Sequence, residues 1–130
     1  GFICAQMAAS SPRIAGIVLE TTATNADEVA DAWKPWYLPF ISIDVAEGLA
    51  SFDTVDALKD RGLPALVIGA GKDKTLPVRL HRSLAEKLEA AGVEVTYLEY
   101  SKAGHWDAPL ADSFAADAAA FFTSASGGSN

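Results

Sequence analysis

Three short apolar runs, separated by stretches with helical spacing, limit what this chain can fold into more than any other feature. Residues 14–20 (Ile-Ala-Gly-Ile-Val-Leu-Glu) and 64–69 (Pro-Ala-Leu-Val-Ile-Gly) are too short for core helices and show no alternation, the pattern of strands buried on both faces. Residues 93–100 form a third strand-like run. Strands that alternate with helices pair in parallel through right-handed crossovers, carry helices on both faces and place a site at their carboxyl ends. The expected class is therefore α/β, with three parallel strands and flanking helices. In so thin a sheet the first strand is left as an open apolar edge, which complete domains normally pair or cover.

The segments between the strands have recognisable starts and stops. Residues 2–11 are rich in Ala, include Cys4 and Met7, and end at Ser11-Pro12, so a buried helix stopped by proline is expected there. Asn25 and the acids after it suit a helix N-terminus over residues 25–33, whereas the two prolines in residues 35–40 interrupt any regular helix. Residues 55–61 suit a short helix ended by Gly62. Pro77 opens a helix in which Leu80, Leu84 and Leu88 recur every fourth residue, and Gly92 closes it. Residues 109–122 read as a final amphipathic helix with Leu110, Phe114, Ala118, Phe121 and Phe122 inward, and residues 124–130 as a disordered tail.

With 130 residues, 50% hydrophobic and 21% charged, the chain has the size and content of one globular domain. A net charge of -7 without a compensating basic run excludes a nucleic-acid or anionic-membrane surface and leaves small molecules as partners. No apolar stretch is long enough for a membrane span. One cysteine permits no internal disulfide. The cellular address stays open, with the cytoplasm favoured. Gly1 leads straight into an apolar run, from which an upstream portion of the protein is expected.

Asp73 and His105 each lie just past a strand, in the loops Gly-Ala-Gly-Lys-Asp-Lys-Thr-Leu-Pro and Lys-Ala-Gly-His-Trp-Asp. A helix of roughly 14 residues carries the chain about 21 Å away from the first loop, and a strand of roughly 8 carries it about 26 Å back. The two side chains then finish at one rim. A carboxylate beside an imidazole fixes its tautomer and stabilises the imidazolium, so the pair can serve as orienting acid and general base. Read without context, Asp73 instead caps its own turn and His105 is a plain loop residue. Cys4 suits buried filler in an Ala-rich helix, and His81, beside Arg79 and Arg82, suits a solvated position. No metal is expected, because no second ligand stands at metal-binding spacing from His81. No cofactor is expected either: around Gly69 and Gly71, a dinucleotide fingerprint needs glycine where Lys74 stands and a phosphate loop needs one where Leu66 stands.

Over nearly its whole length the sequence resembles the α/β-hydrolase superfamily. The segment Ala70-Gly71-Lys72-Asp73-Lys74-Thr75-Leu76-Pro77 is similar to that family's Gly-x-x-Asp-x-x-x-Pro acid loop, with Ala70 in place of the first glycine. Ala103-Gly104-His105-Trp106-Asp107 is similar to its Gly-His loop, and the order acid then histidine agrees. Together with residues 20–25 and 51–55, these motifs most resemble small-cap serine hydrolases of the depalmitoylase and esterase-like branch. The resemblance implies that residues 1–123 are the C-terminal part of such a domain, with a cap-like insertion at about 23–52. Gly1-Phe2-Ile3-Cys4-Ala5 then resembles the start of the helix after the nucleophile elbow, with the serine upstream of residue 1. Asp73 and His105 are implied as catalytic residues, and Trp36, Phe40 and Trp106 as substrate-binding ones, although ordinary packing explains the aromatics equally well. The implied substrate is a small ester, thioester or amide, and the implied partner is the N-terminal half of the same domain. Two other readings stay open: a non-catalytic interaction module with an open sheet edge, and a haloperoxidase or acyltransferase on the same scaffold.

Overall fold

The structure is a computed structural model that describes residues 1–127. Its elements run α1 (Phe2–Ser10), β1 (Ile17–Glu20), α2 (Ala26–Trp33), α3 (Glu47–Ala50), α4 (Thr54–Leu58), β2 (Ala65–Ala70), α5 (Val78–Ala90), β3 (Val95–Tyr100), a 3-10 turn (Ala108–Leu110) and α6 (Phe114–Gly127). The strands form one parallel sheet in the order β1-β2-β3, with Ile17 opposite Ala65 and Ala65 opposite Val95. Every residue of the central strand is buried. That is the environment its unbroken apolar run requires.

Strand alternation divides the core in two. Ile17, Leu19, Ala65 and Val67 pack with Ala5 and Ala8 of α1, Leu58 of α4 and Leu84, Ala85 and Leu88 of α5. On the other face, Leu66, Ile68 and Ala70 pack with Ala103, Ala108 and Phe121, joined by Val18, Leu98, Tyr100 and Phe114. Both strand-to-strand crossovers thus lay a helix on the same side, and α6 returns to cover the other. Asn25 caps α2 by accepting from the Glu28 N–H, and Asp53 caps α4 by accepting from the Val55 and Asp56 N–H groups. The two caps also bond each other, Asn25 Nδ2 donating to Asp53 Oδ2 at 3.0 Å, which pins together the two ends of the intervening segment.

Several expectations change. Helix α1 forms, but Ala5 and Ala8 are its only buried residues, while Ile3, Cys4 and Met7 are exposed. Cys4 is therefore not buried filler, because nothing among the described residues covers that side of the helix. The last helix starts at Phe114 rather than Pro109, since residues 108–110 make a separate 3-10 turn; Leu110 and Phe122 consequently lie largely in solvent. Residues 124–127 of the expected tail continue α6, and residues 128–130 lie outside the described residues. Between α2 and α4, residues 34–46 have no regular helix or strand, in keeping with their prolines. No helix among the described residues is long and apolar enough to cross a membrane.

Candidate active site

The loops after β2 and β3 are joined by main-chain bonds before any side chain is considered. The Gly71 N–H donates to the Tyr100 carbonyl at 3.0 Å, and the Lys72 N–H to the Ala103 carbonyl at 2.9 Å. Gly71 is required at this junction: a Cβ there would stand 2.7 Å from the Ser101 main chain. The shared scaffold sets Asp73 against His105.

Asp73 has a fully buried side chain. Its Oδ1 accepts from the Thr75 and Leu76 N–H groups, both at 2.8 Å, which folds the acid loop around the carboxylate. Its Oδ2 lies 2.7 Å from His105 Nδ1, the length of a charge-assisted bond. With Nδ1 as donor, the neutral His105 ring leaves Nε2 as its acceptor. No hydrogen bond engages Nε2 among the described residues. The His105 side chain keeps 15% of its surface, so the ring is reachable at its outer edge. The arrangement can take a proton at Nε2 while Asp73 stabilises the charge at Nδ1.

The histidine loop is braced from two sides. Asp107 Oδ2 accepts from the Gly104 N–H at 3.1 Å, and the Asp107 N–H returns to the Gly104 carbonyl. Thr21 Oγ1 donates to the His105 carbonyl at 3.3 Å from the tip of β1. Thr21 holds a φ of 43°, a strained conformation for a β-branched residue, and its own N–H stays bonded to the Ile68 carbonyl. Beside it, burial pushes the Glu20 carboxyl above the usual range, with His105 acting in the opposite direction.

The structure brings Asp73 and His105 together and sets Trp106 edge-on to the His105 ring, with centroids 4.7 Å apart. It does not gather the aromatics of the 23–52 segment into that site. Trp36 and Phe40 are 90% and 98% exposed, and Trp36 stacks edge-on with its neighbour Tyr37. A cleft of about 440 Å³ runs beside the histidine loop between Tyr100 and Asp112, but neither Asp73 nor His105 lines it. The pair faces an open rim instead. Trp33 does reach the acid loop, its indole N–H donating to the Thr75 carbonyl at 2.6 Å. His81 is the main correction: its side chain is fully buried, and Nε2 lies 3.6 Å from Asp73 Oδ2. The signal for this was present, since His81, Leu84, Ala85 and Leu88 share the i, i+3, i+4, i+7 spacing of one helix face. Glu20 and Thr21 lie in residues 20–25, which entered only as part of the resemblance, and nothing in that segment marked either one as a neighbour of His105. No cluster of three or more metal-ligating side chains occurs among the described residues.

Neither a family model nor a curated protein matches the chain. Solved structures do. An acylaminoacyl peptidase of Pyrococcus horikoshii superposes with a TM-score of 0.62 at 17% identity, over 82% of this chain and 18% of that one. The acylaminoacyl peptidase complexed with Z-Gly-Gly-Phe-chloromethyl ketone gives the same figures. A candidate non-heme bromoperoxidase, BpoC of Mycobacterium tuberculosis H37Rv, superposes with a TM-score of 0.60 at 19% identity, over 95% of this chain and 63% of that one. The fold is thus α/β, three parallel strands flanked by helices, and it matches α/β-hydrolase structures. The chain spans less than two thirds of each structure named.

Proposed function

We propose that this chain supplies the acid and histidine of a serine hydrolase acting on a small ester, thioester or amide. The observation that carries this reading is the 2.7 Å contact between a fully buried Asp73 carboxylate and His105 Nδ1 at the carboxyl rim of a parallel sheet. In the reaction, His105 Nε2 takes the proton of a serine hydroxyl as the serine oxygen attacks the substrate carbonyl. His105 then returns the proton to the departing alcohol, thiol or amine. Water releases the acyl group by the same two transfers. Asp73 holds the imidazolium through its bond to Nδ1.

The serine and the donors that stabilise the oxyanion come from outside these residues, a proposal that three features support. Gly1 packs so tightly on Thr22 that a Cβ would fall 1.8 Å from its hydroxyl oxygen, and Thr22 adjoins the Thr21 that braces His105. Gly1 thus lies next to the segment that braces His105. The outer edge of β1 pairs with no strand among the described residues, and Ile3 and Met7 on α1 are each 63% exposed. Upstream strands and helices would cover both. The test is hydrolysis of p-nitrophenyl acetate by the complete open reading frame containing this chain: activity is expected to require His105 and to be absent from residues 1–130 alone. Hydrolysis by the isolated chain, or a His105→Ala variant of the complete protein as active as the parent, would overturn the proposal.

The open edge and the exposed face of α1 also suit a non-catalytic module that binds a second protein. Light scattering together with the same assay separates the two: a module is a stable monomer alone and acquires no esterase activity when upstream sequence is restored. A haloperoxidase or acyltransferase would use the same pair, and product analysis distinguishes these from hydrolysis.

A further inference from the structure

Four N–H groups stand around the Asp73 carboxylate; three are hydrogen-bonded to it, and the fourth has no hydrogen-bond partner among the described residues. The Thr75 and Leu76 N–H groups take Oδ1, and His105 Nδ1 takes Oδ2. The fourth belongs to His81. Its Nδ1 accepts the Ala70 N–H at 3.3 Å, so the proton of the neutral ring sits on Nε2. Burial holds the ring below the usual imidazole range, against the pull of Asp73, so His81 and Asp73 are not an ion pair. His81 Nε2 lacks a hydrogen-bond partner among the described residues and lies 3.6 Å from Asp73 Oδ2, beyond bonding distance. A buried N–H left without a partner is costly, and a leucine would fill the same helix face without that cost.

We infer that His81 is a positioning residue for the Asp73–His105 pair, its Nε2–H acting on the same carboxylate oxygen that binds His105 Nδ1. This deepens the hydrolase reading and rests on it. Oδ1 is tied to the acid loop, but among the described residues Oδ2 is hydrogen-bonded only to His105, a side chain on a different loop. The His81 N–H dipole, anchored through Ala70 at the end of β2, resists rotation of Oδ2 away from His105. Because the ring is neutral, it steadies the carboxylate without a second cation that would compete with the His105 imidazolium.

Two substitutions in the complete protein separate this role from simple support of β2. His81→Asn keeps an oxygen near the Nδ1 position, able to accept from Ala70, but has no donor near Nε2. His81→Gln offers an amide donor near Nε2 without the Nδ1 acceptor. Expected for His81→Asn is a kcat for p-nitrophenyl acetate about tenfold lower with KM unchanged, from a small misplacement of the base. The downfield proton resonance of His105 Nδ1–H should broaden in parallel. His81→Gln should regain most of both. If His81→Asn does not fold, His81→Leu, which lacks both groups, replaces it in the comparison with His81→Gln. The reverse order, or two variants that behave alike, overturns the inference. If the parent protein hydrolyses no ester, the hydrolase reading fails. The resonance still judges His81, since it reports the Asp73–His105 bond without turnover.

Discussion

Replacing Asp73 by Asn changes one oxygen to nitrogen and tests whether the carboxylate sets the tautomer of His105. The amide has one allowed orientation. Its oxygen must stay on the Oδ1 side, where the Thr75 and Leu76 N–H groups approach to 2.8 Å, because an amide nitrogen there would oppose two donors. The NH₂ group is then placed 2.7 Å from His105 Nδ1. That nitrogen must become an acceptor, which moves the ring proton to Nε2 and removes the base. A wrong tautomer in such a triad lowers kcat by about 10⁴-fold, equivalent to about 5.5 kcal/mol of barrier. The fold suffers far less. Three charge-assisted bonds, from the Thr75 and Leu76 N–H groups and from His105, become neutral ones, at a cost of about 1 kcal/mol each. Complete protein carrying Asp73→Asn should therefore lose about four decades of kcat on p-nitrophenyl acetate, while its urea midpoint falls only modestly. A kcat within tenfold of the parent, in a folded variant, would refute the tautomer reasoning.

Other consequences can be measured by unfolding the complete protein. Gly71→Ala places a methyl group 2.7 Å from the Ser101 backbone and should destabilise by about 1–3 kcal/mol, read as a lower urea midpoint with unchanged m-value. Leu58→Ala empties a fully buried site on α4, which packs against α1 and α5, and a loss of about 2–5 kcal/mol is expected by the same assay. Because His81 is held below its ordinary pKa, the unfolded chain binds a proton before the folded one does. Stability should therefore fall as pH drops below the ordinary imidazole value of about 6.5. Comparing urea midpoints between pH 7.5 and 5.5, His81→Gln should show the smaller decline.

The central strand was legible because burial on both faces demands a continuous apolar run, and β2 at Ala65–Ala70 lies within one residue of the run that predicted it; β1, expected to be buried on both faces, is fully buried only at Ile17 and Leu19. The acid and histidine loops were legible for a related reason: parallel strands bring their carboxyl ends to one rim, so Asp73 and His105 could be placed by counting residues between them. His81 was not recognised because Arg79 and Arg82 on either side of it suggest a solvated face, although its spacing to Leu84, Ala85 and Leu88 turns it inward. The strained φ of Thr21 left no trace, since nothing in a threonine marks a left-handed position. The half-exposure of α1 was hidden too. An Ala-rich helix with Ile3 and Met7 reads as buried, and which of its sides packs is set by tertiary contacts that local spacing does not specify.

Fluorophosphonate labelling of the complete protein, followed by mass mapping of the modified peptide, tests most directly whether Asp73 and His105 activate a serine supplied from outside these residues. One labelled serine, encoded upstream of Gly1 and unlabelled in the His105→Ala variant, is the expected result. Labelling of a residue within 1–130, or labelling that survives loss of His105, would contradict it.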